Sequence, residues 1–250
     1  EIMATLRGED GCPWDKAQTH ESLKPYLLEE AYEVIDAIDG QVTDELVEEL
    51  GDLLLQIVFH SRLGEERGDF DLGDVITGIC EKMIRRHPHI FDKVKVNNAD
   101  EVIENWEDIK KQEKSIKTQT ESMLKVPKTL PSLMKAFKVQ EKAARVGFDW
   151  ELAEDAMDKV SEELDELKEV YKANVRDRIR EELGDLLFAC VNVARFLQVD
   201  PELALRDATK KFIRRFEYVE ETATKNNKNL QDMSLEEMDK LWDQGKEQEK

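Results

Sequence analysis

Four acidic side chains in the first half of the sequence stand at spacings that suit a shared site. Glu30 and Glu33 are three residues apart. Glu49 and Asp52 repeat that spacing, and residues three apart lie on one face of a helix. Glu33 and Glu49 are equidistant from position 41, and so are Glu30 and Asp52. Gly40 lies next to this position. An antiparallel helical hairpin that turns there would bring the four carboxylates to one height, as a four-carboxylate box.

The same arrangement is repeated 133 residues further along the chain. The segment EExxE at residues 29–33 recurs at 162–166. The segment EELGDLL at 48–54 recurs at 181–187. Asn174, a residue type that favours turns, lies at the centre of the second hairpin. One constant offset over both segments indicates a tandem duplication. The second box would consist of Glu163, Glu166, Glu182 and Asp185.

Carboxylates gathered at one height suit a metal ion. Four like charges repel one another and raise their pKa values unless a cation neutralises them. The second acidic pair of each half lies inside an apolar run, and so borders packed surface. An oxygen-only ligand set without a nearby thiolate favours Mg²⁺ or Mn²⁺. A solvated acidic face is the alternative for any one motif alone, and a di-iron bundle is excluded because no Glu-x-x-His is present.

The doubled box is accompanied by three further motifs, GCPWD at 11–15, RHPH at 86–89 and VGFDW at 146–150. Together they resemble the all-α nucleoside triphosphate pyrophosphohydrolases over essentially the whole chain. The resemblance implies a metal-dependent four-helix fold, usually dimeric. It also implies cleavage between the α and β phosphates, with release of a nucleoside monophosphate and pyrophosphate. Mg²⁺ is the implied cofactor, with Mn²⁺ as a substitute.

The resemblance also implies roles for individual residues. Glu181 or Glu162 would orient the attacking water, and the choice between them stays open. The implied metal ligands are Glu163, Glu166, Glu182 and Asp185, with Glu30, Glu33, Glu49 and Asp52 in the first half. Trp242 and Lys246 would close over the nucleotide, and the implied phosphate-binding residues are Lys159, Arg178, Lys211, Arg214 and Arg215.

The two halves differ in the basic residues near the boxes. Lys159 and Arg178 of the second half correspond to Tyr26 and Glu45 of the first. A chain of net charge −20 needs local positive charge to receive a triphosphate. We therefore expect the second half to be the better catalyst. The first half would bind metal, prefer another substrate or serve in assembly.

Apolar residues recur at helical spacing almost throughout, and no run alternates with period two. We predict an all-α fold with two tandem repeats of a four-helix, carboxylate-box bundle. The predicted domains are 1–118 and 132–250, joined by a polar linker at 119–131 that carries two prolines. A single hairpin cannot bury its apolar stripe, so we expect a homodimer. The residues expected in bundle cores are Leu50, Leu53, Ile57, Leu183, Leu186 and Val191.

Composition excludes several classes of protein. The 37 basic against 57 acidic residues disfavour nucleic-acid binding through bulk charge. No apolar stretch approaches the roughly 20 residues that span a bilayer, so no membrane association is expected. The first residues lack the features of a secretory leader. Three well-separated cysteines without a CxxC pair argue against a disulfide framework or zinc site. We expect a cytoplasmic protein.

Two functions of different classes fit the sequence. The first is an Mg²⁺-dependent nucleoside triphosphate pyrophosphohydrolase with broad or house-cleaning nucleotide specificity. The alternative is a noncatalytic all-α module for dimerisation or partner binding, with a structural metal. The position of both ExxD segments inside apolar runs favours the enzyme.

Overall fold

The chain is helical throughout the residues that the structure, a computed structural model, describes. These are residues 1–248, except for the side chains of residues 100 and 104, and they form thirteen α-helices, one 3-10 helix and no β-strand. The predicted all-α fold is confirmed. Positions 249 and 250, which the prediction includes in the C-terminal domain, lie outside the described residues. Over the described part of the chain, every helix is too short or too polar to cross a bilayer.

Two compact units divide the chain between Lys110 and Lys111. The helices that begin in the first unit are α1 (Ile2–Leu6), α2 (Pro13–Ala17), α3 (Lys24–Gly40), α4 (Thr43–Arg67), α5 (Leu72–Arg86), α6 (Pro88–Phe91) and α7 (Ala99–Glu113). Those of the second unit are α8 (Gln119–Leu124), α9 (Ser132–Ala144), α10 (Ala153–Ala173), α11 (Arg176–Phe196), α12 (Pro201–Lys225) and α13 (Leu235–Gln248). The 3-10 helix spans Leu230–Asp232.

Each unit contains one long helical hairpin, α3 with α4 and α10 with α11. Both hairpins turn where the symmetric spacing of acids predicts. Gln41, with φ of 56°, ends α3, and Asn174, with φ of 54°, ends α10. Asparagine enters this left-handed conformation more readily than most residues. The duplication in sequence is thus a duplication in structure.

The core of the first unit lies between α1 and α4. Met3, Leu23, Phe59 and Leu63 are buried together there. Arg7 follows α1 and its Nη2 lies 2.7 Å from Glu66 of α4. Burial and this ion pair hold the N-terminal segment against the hairpin.

The second unit is organised around α9, which packs on both α11 and α12. Gln140 of α9 is buried and its Nε2 donates to the carbonyl oxygen of Phe188 at 2.8 Å. Asp200 starts α12 by accepting hydrogen bonds from the amides of Glu202 and Leu203, as an N-cap residue does. These contacts fix the helices that surround the second hairpin.

The apolar residues predicted for bundle cores differ in burial within one chain. Val191 is buried and Leu53 and Leu186 are half-buried. The remaining three are exposed, namely Leu50, Ile57 and Leu183. The predicted homodimer, which would cover such residues, stays a prediction.

The segment predicted as a linker contains α8, which packs on α9. Gln119 of α8 donates from Nε2 to the carbonyl oxygen of Lys142. The predicted domain boundaries stay a prediction.

Candidate functional site

Three acidic side chains converge between α10 and α11 in the second unit. One carboxylate oxygen from each of Glu163, Glu166 and Glu182 lies within 4.8 Å of the other two. Glu163 is 6% exposed and Glu182 is 7% exposed, whereas Glu166 is exposed. We call these three residues the second cluster. A nearby cation would stabilise two buried carboxylates at this separation, because buried charge is costly without a partner.

The electrostatics of the second cluster follow from this crowding. Partial loss of hydration and the charges of Glu163 and Glu182 raise the pKa of Glu166 above its usual range. A raised pKa means that the ionised form is disfavoured in the absence of a compensating cation. An all-oxygen set with these properties fits Mg²⁺ or Mn²⁺.

Two basic residues lie against the second cluster. The Nζ of Lys159 is 2.7 Å from Glu163 Oε1 and 2.8 Å from Glu162 Oε1. These hydrogen bonds raise the pKa of Lys159, which therefore stays charged. Arg178 makes a longer contact, with Nη2 3.5 Å from Glu182 Oε1. Lys159 and Arg178, predicted to bind phosphates, thus lie beside the predicted metal ligands.

The first unit contains an equivalent group between α3 and α4. Carboxylate oxygens of Glu30, Glu49 and Asp52 lie within 4.8 Å of one another, and all three residues are half-buried. We call them the first cluster. Reduced hydration, followed by the charge of Asp52, raises the pKa of Glu30, although a hydrogen bond from Gln56 opposes the shift. Reduced hydration and the charges of Glu33 and Asp52 likewise raise the pKa of Glu49.

Two predicted ligands fall outside the clusters. Glu33 is close enough to raise the pKa of Glu49 but does not join the first cluster. Asp185 does not join the second cluster and instead lines a cavity beside it. Of the two candidates for orienting water, Glu162 pairs with Lys159 and Glu181 is exposed on α11. These roles stay predictions.

A cavity of about 600 Å³ adjoins the second cluster within the second unit. It shares Glu163 and Lys159 with the site just described. Most of its remaining wall is apolar or aromatic, from α9, α11 and the loop between α9 and α10, and includes Val139, Ala143, Phe148, Trp150, Phe188 and Ala189. A flat, apolar ligand would fit beside the carboxylates.

The loop that supplies two of these aromatic rings is held at both ends. Gly147 takes a φ of 82° and turns the chain after α9, a conformation that suits glycine. Asp149 forms an ion pair with Arg195 of α11. Arg195 Nη2 also donates to Asn192 Oδ1 at 2.9 Å. The sequence predicts no binding role for the motif at 146–150 beyond the family resemblance. Its two aromatic residues, Phe148 and Trp150, are separated by one residue and follow a glycine, and this pattern is the signal for a binding wall.

The remaining predicted substrate residues lie on α12 and α13. The ring of Trp242 packs against Phe212, with centroids 5.0 Å apart, and Arg215 Cζ lies 5.8 Å from the Trp242 centroid. Lys246 Nζ is 2.8 Å from Asp243, and the remaining two, Lys211 and Arg214, are exposed. The five predicted residues of these two helices do not line the cavity. Their role in binding stays a prediction.

Comparison with known proteins bears on both units. The sequence matches the MazG nucleotide pyrophosphohydrolase domain at residues 18–91 and again at 153–220. These two segments contain the first and second clusters.

Similar proteins occur in several bacteria. An uncharacterized protein of Bacillus subtilis, YabN, is 55% identical over 100% of this chain and 51% of its own length. The nucleoside triphosphate pyrophosphohydrolase/pyrophosphatase MazG of Thermotoga maritima is 48% identical over 98% of this chain and 93% of its own length. The nucleoside triphosphate pyrophosphohydrolase of Escherichia coli is 45% identical over 99% of this chain and 95% of its own length. The chain thus spans about half of the Bacillus relative and nearly all of the other two.

Proposed function

The chain belongs to the MazG nucleotide pyrophosphohydrolase family, and we propose that it hydrolyses nucleoside triphosphates to nucleoside monophosphates and pyrophosphate at the second cluster. The observation that carries the proposal is the convergence of Glu163, Glu166 and Glu182 beside a cavity with aromatic walls. A carboxylate site suits the metal-bound phosphates, and the cavity suits the nucleoside. The names of the Thermotoga and Escherichia relatives agree with this activity.

Each group of the second unit has a distinct task in the proposed reaction. The three carboxylates of the second cluster would hold Mg²⁺ or Mn²⁺. A bound ion would offset the charge that develops on the phosphate oxygens and lower the pKa of a bound water. Lys159 and Arg178 would bind phosphate oxygens, because both already lie at the edge of the cluster. Glu162 or Glu181 would orient the attacking water.

The nucleoside would occupy the adjoining cavity. Phe148, Trp150 and Phe188 offer aromatic faces on which a base can stack. Stacking tolerates every base because each has an aromatic face. Three aromatic side chains in the wall support broad nucleotide specificity.

The first cluster is proposed to have a lesser part in turnover. Tyr26 occupies the position of Lys159, and its ring packs against Trp14 with centroids 5.8 Å apart. The position of Arg178 is taken by Glu45, which is itself acidic. The first cluster would bind metal but lacks the positive charge that a triphosphate requires.

The proposed setting is a cytoplasmic homodimer. The three cysteines are free thiols in the structure, which suits a reducing compartment. Exposed leucines on both hairpins support association of two chains.

Product analysis tests the proposed reaction. The chain would be incubated with each common nucleoside triphosphate and Mg²⁺, and the products separated by ion-exchange chromatography. We expect nucleoside monophosphate and pyrophosphate, and no turnover after exhaustive chelation. Diphosphate with orthophosphate, or full activity after chelation, would contradict the proposal. If every triphosphate stayed intact, the result would favour a noncatalytic dimerisation or partner-binding module with a structural metal.

A further inference from the structure

Lys159 lies against the second cluster and pairs with one of its three carboxylates. Its Nζ contacts oxygens of both Glu163 and Glu162 at 2.7 and 2.8 Å. Glu163 is buried, so the ammonium group supplies the positive charge that this carboxylate needs. Arg178 adds the longer contact to Glu182. Two of the three carboxylates in the cluster are therefore already paired with basic residues of the chain.

The first cluster provides a comparison within the same molecule. Glu30 accepts a hydrogen bond from Nε2 of Gln56 at 3.3 Å, and this partner is a neutral amide. Tyr26 and Glu45 replace the two basic residues of the second half. Within the described residues, no ammonium or guanidinium group pairs with Glu30, Glu49 or Asp52. A metal ion therefore meets a positively charged competitor at the second cluster but not at the first.

A divalent cation and the Lys159 ammonium group compete for the same carboxylate. Like charges a few ångströms apart repel strongly where water screens them poorly. On the basis of the proposed function, we infer that the Lys159 ammonium group keeps free metal ions out of the second cluster. This group leaves Glu163 only when nucleotide phosphates bind it instead. Metal ion and nucleotide then bind the second cluster together, whereas the first cluster binds a metal ion alone. Each ligand raises the affinity for the other, as linkage requires.

Binding of Mn²⁺ alone tests the inference because it needs no turnover. Isothermal titration calorimetry would use the full chain carrying Glu49→Gln, which weakens the first cluster. Adding Lys159→Met removes the competing charge. If Lys159 is paired with Glu163 about nine-tenths of the time, the Mn²⁺ affinity of the second cluster should rise about tenfold. Lys159→Arg keeps the charge and should bind Mn²⁺ as weakly as the parent.

A matched control lies on the same helix. Lys168 pairs with Asp165 at 2.9 Å, outside the second cluster. Lys168→Met removes one positive charge from α10 as Lys159→Met does, and should leave the Mn²⁺ affinity unchanged. Circular dichroism would confirm that each variant is folded. If Lys159→Met does not fold, Lys159→Gln takes its place.

A nucleotide analogue tests the coupling. A triphosphate with a methylene group between the α and β phosphorus atoms should raise the Mn²⁺ affinity of the parent about tenfold, after allowance for Mn²⁺ that the analogue binds in solution. The rise should be clearly smaller in Lys159→Met. Equal Mn²⁺ affinity with and without Lys159→Met, or an undiminished nucleotide effect, would overturn the inference. If these binding changes occurred without pyrophosphate release in any assay, the proposed function alone would fail.

Discussion

Lys159 is the residue at which the two halves of the chain differ most directly. It contacts Glu163 at 2.7 Å, while the equivalent Tyr26 packs its ring against Trp14. The acidic motifs EExxE and EELGDLL that follow these positions are present in both halves. The same carboxylate motif is therefore set in two electrostatic environments, and the second has basic residues beside it.

Removal of the Lys159 charge should impair the second cluster as a phosphate site. We expect Lys159→Met to lower kcat/KM for nucleoside triphosphates about tenfold to a hundredfold, because a hydrogen bond to a charged group contributes about 1.5–3 kcal/mol. Steady-state release of pyrophosphate would measure the effect. Lys168→Met is the control and should behave like the unmodified chain. An unchanged kcat/KM in Lys159→Met would show that its ammonium group does not contact the substrate.

All six members of the two clusters are among the eight ligands predicted from the sequence, but the sequence does not tell which of the eight converge. Spacing by three places two acids on one side of a helix, yet they remain about 4.5 Å apart along the axis and about 60° apart around it. One such pair nevertheless converges in each cluster, Glu49 with Asp52 and Glu163 with Glu166, and the partner helix adds a single carboxylate. Glu33 and Asp185 fall outside the clusters, and Asp185 lines the cavity instead. The direction of each side chain depends on how the helices pack, and the spacing of residues in the sequence does not determine it.

At the scale of elements, the hairpins are the best predicted feature. Their turns follow from the symmetry of the acidic pairs, and both are closed by a left-handed residue, Gln41 or Asn174. The loop at 146–150 could not be derived in the same way. It has no periodic pattern, and it is held by the contact of Asp149 with Arg195, which is 46 positions away. Contacts of this range follow only from the tertiary fold.

A pH-sensitive contact joins the segment before α3 to α4. The Nδ1 atoms of His20 and His60 are 2.8 Å apart, so one ring must donate and the other accept. Burial and the nearby His20 lower the pKa of His60 below its ordinary value of 6.5. Because the unfolded chain then binds more protons than the folded chain as pH falls below about 6.5, acidification should destabilise the first unit.

Thermal unfolding would measure this pH dependence. The unmodified chain should lose stability between about pH 7.5 and about pH 5.5, across the range in which histidine titrates. The His60→Gln variant lacks the titrating ring and should lose less stability over the same pH interval. The explanation fails if both proteins lose stability equally.

At the scale of the whole molecule, the duplication leaves two matching apolar surfaces. Leu50 and Leu54 of α4, and the equivalent Leu183 and Leu187 of α11, are 45% to 56% exposed. Isolated apolar side chains on a surface are ordinary, but equivalent exposure in both repeats indicates a surface that has a partner. We expect a second copy of the chain to cover such a surface.

Light scattering would test the homodimer. At micromolar concentration we expect a particle of about twice the 29.0 kDa chain mass, because symmetric dimers are the commonest oligomers. Leu183→Glu combined with Leu187→Glu introduces charge into one of the apolar surfaces and should shift the equilibrium towards single chains. A 29.0 kDa particle for the unmodified chain would refute the proposed dimer.

The boundary between the two units is harder to predict from the sequence than their number. The segment at 119–131 is polar and contains two prolines, which favours a linker. The structure places α8 in it and ties Gln119 to the carbonyl of Lys142, 23 positions away. Local composition cannot reveal such a contact, whereas the internal repeat reveals the number of units directly.

The second cluster is proposed to carry the reaction. Glu182 and Glu49 occupy equivalent positions in the two clusters, and glutamine preserves the shape of either side chain while removing its charge. The decisive measurement is the initial rate of Mg²⁺-dependent pyrophosphate release by Glu182→Gln and by Glu49→Gln. Loss of a charged metal ligand should lower the rate of Glu182→Gln by about 100-fold or more, and Glu49→Gln should keep most of its activity. Equal losses, or a larger loss in Glu49→Gln, would contradict the assignment of catalysis to the second half.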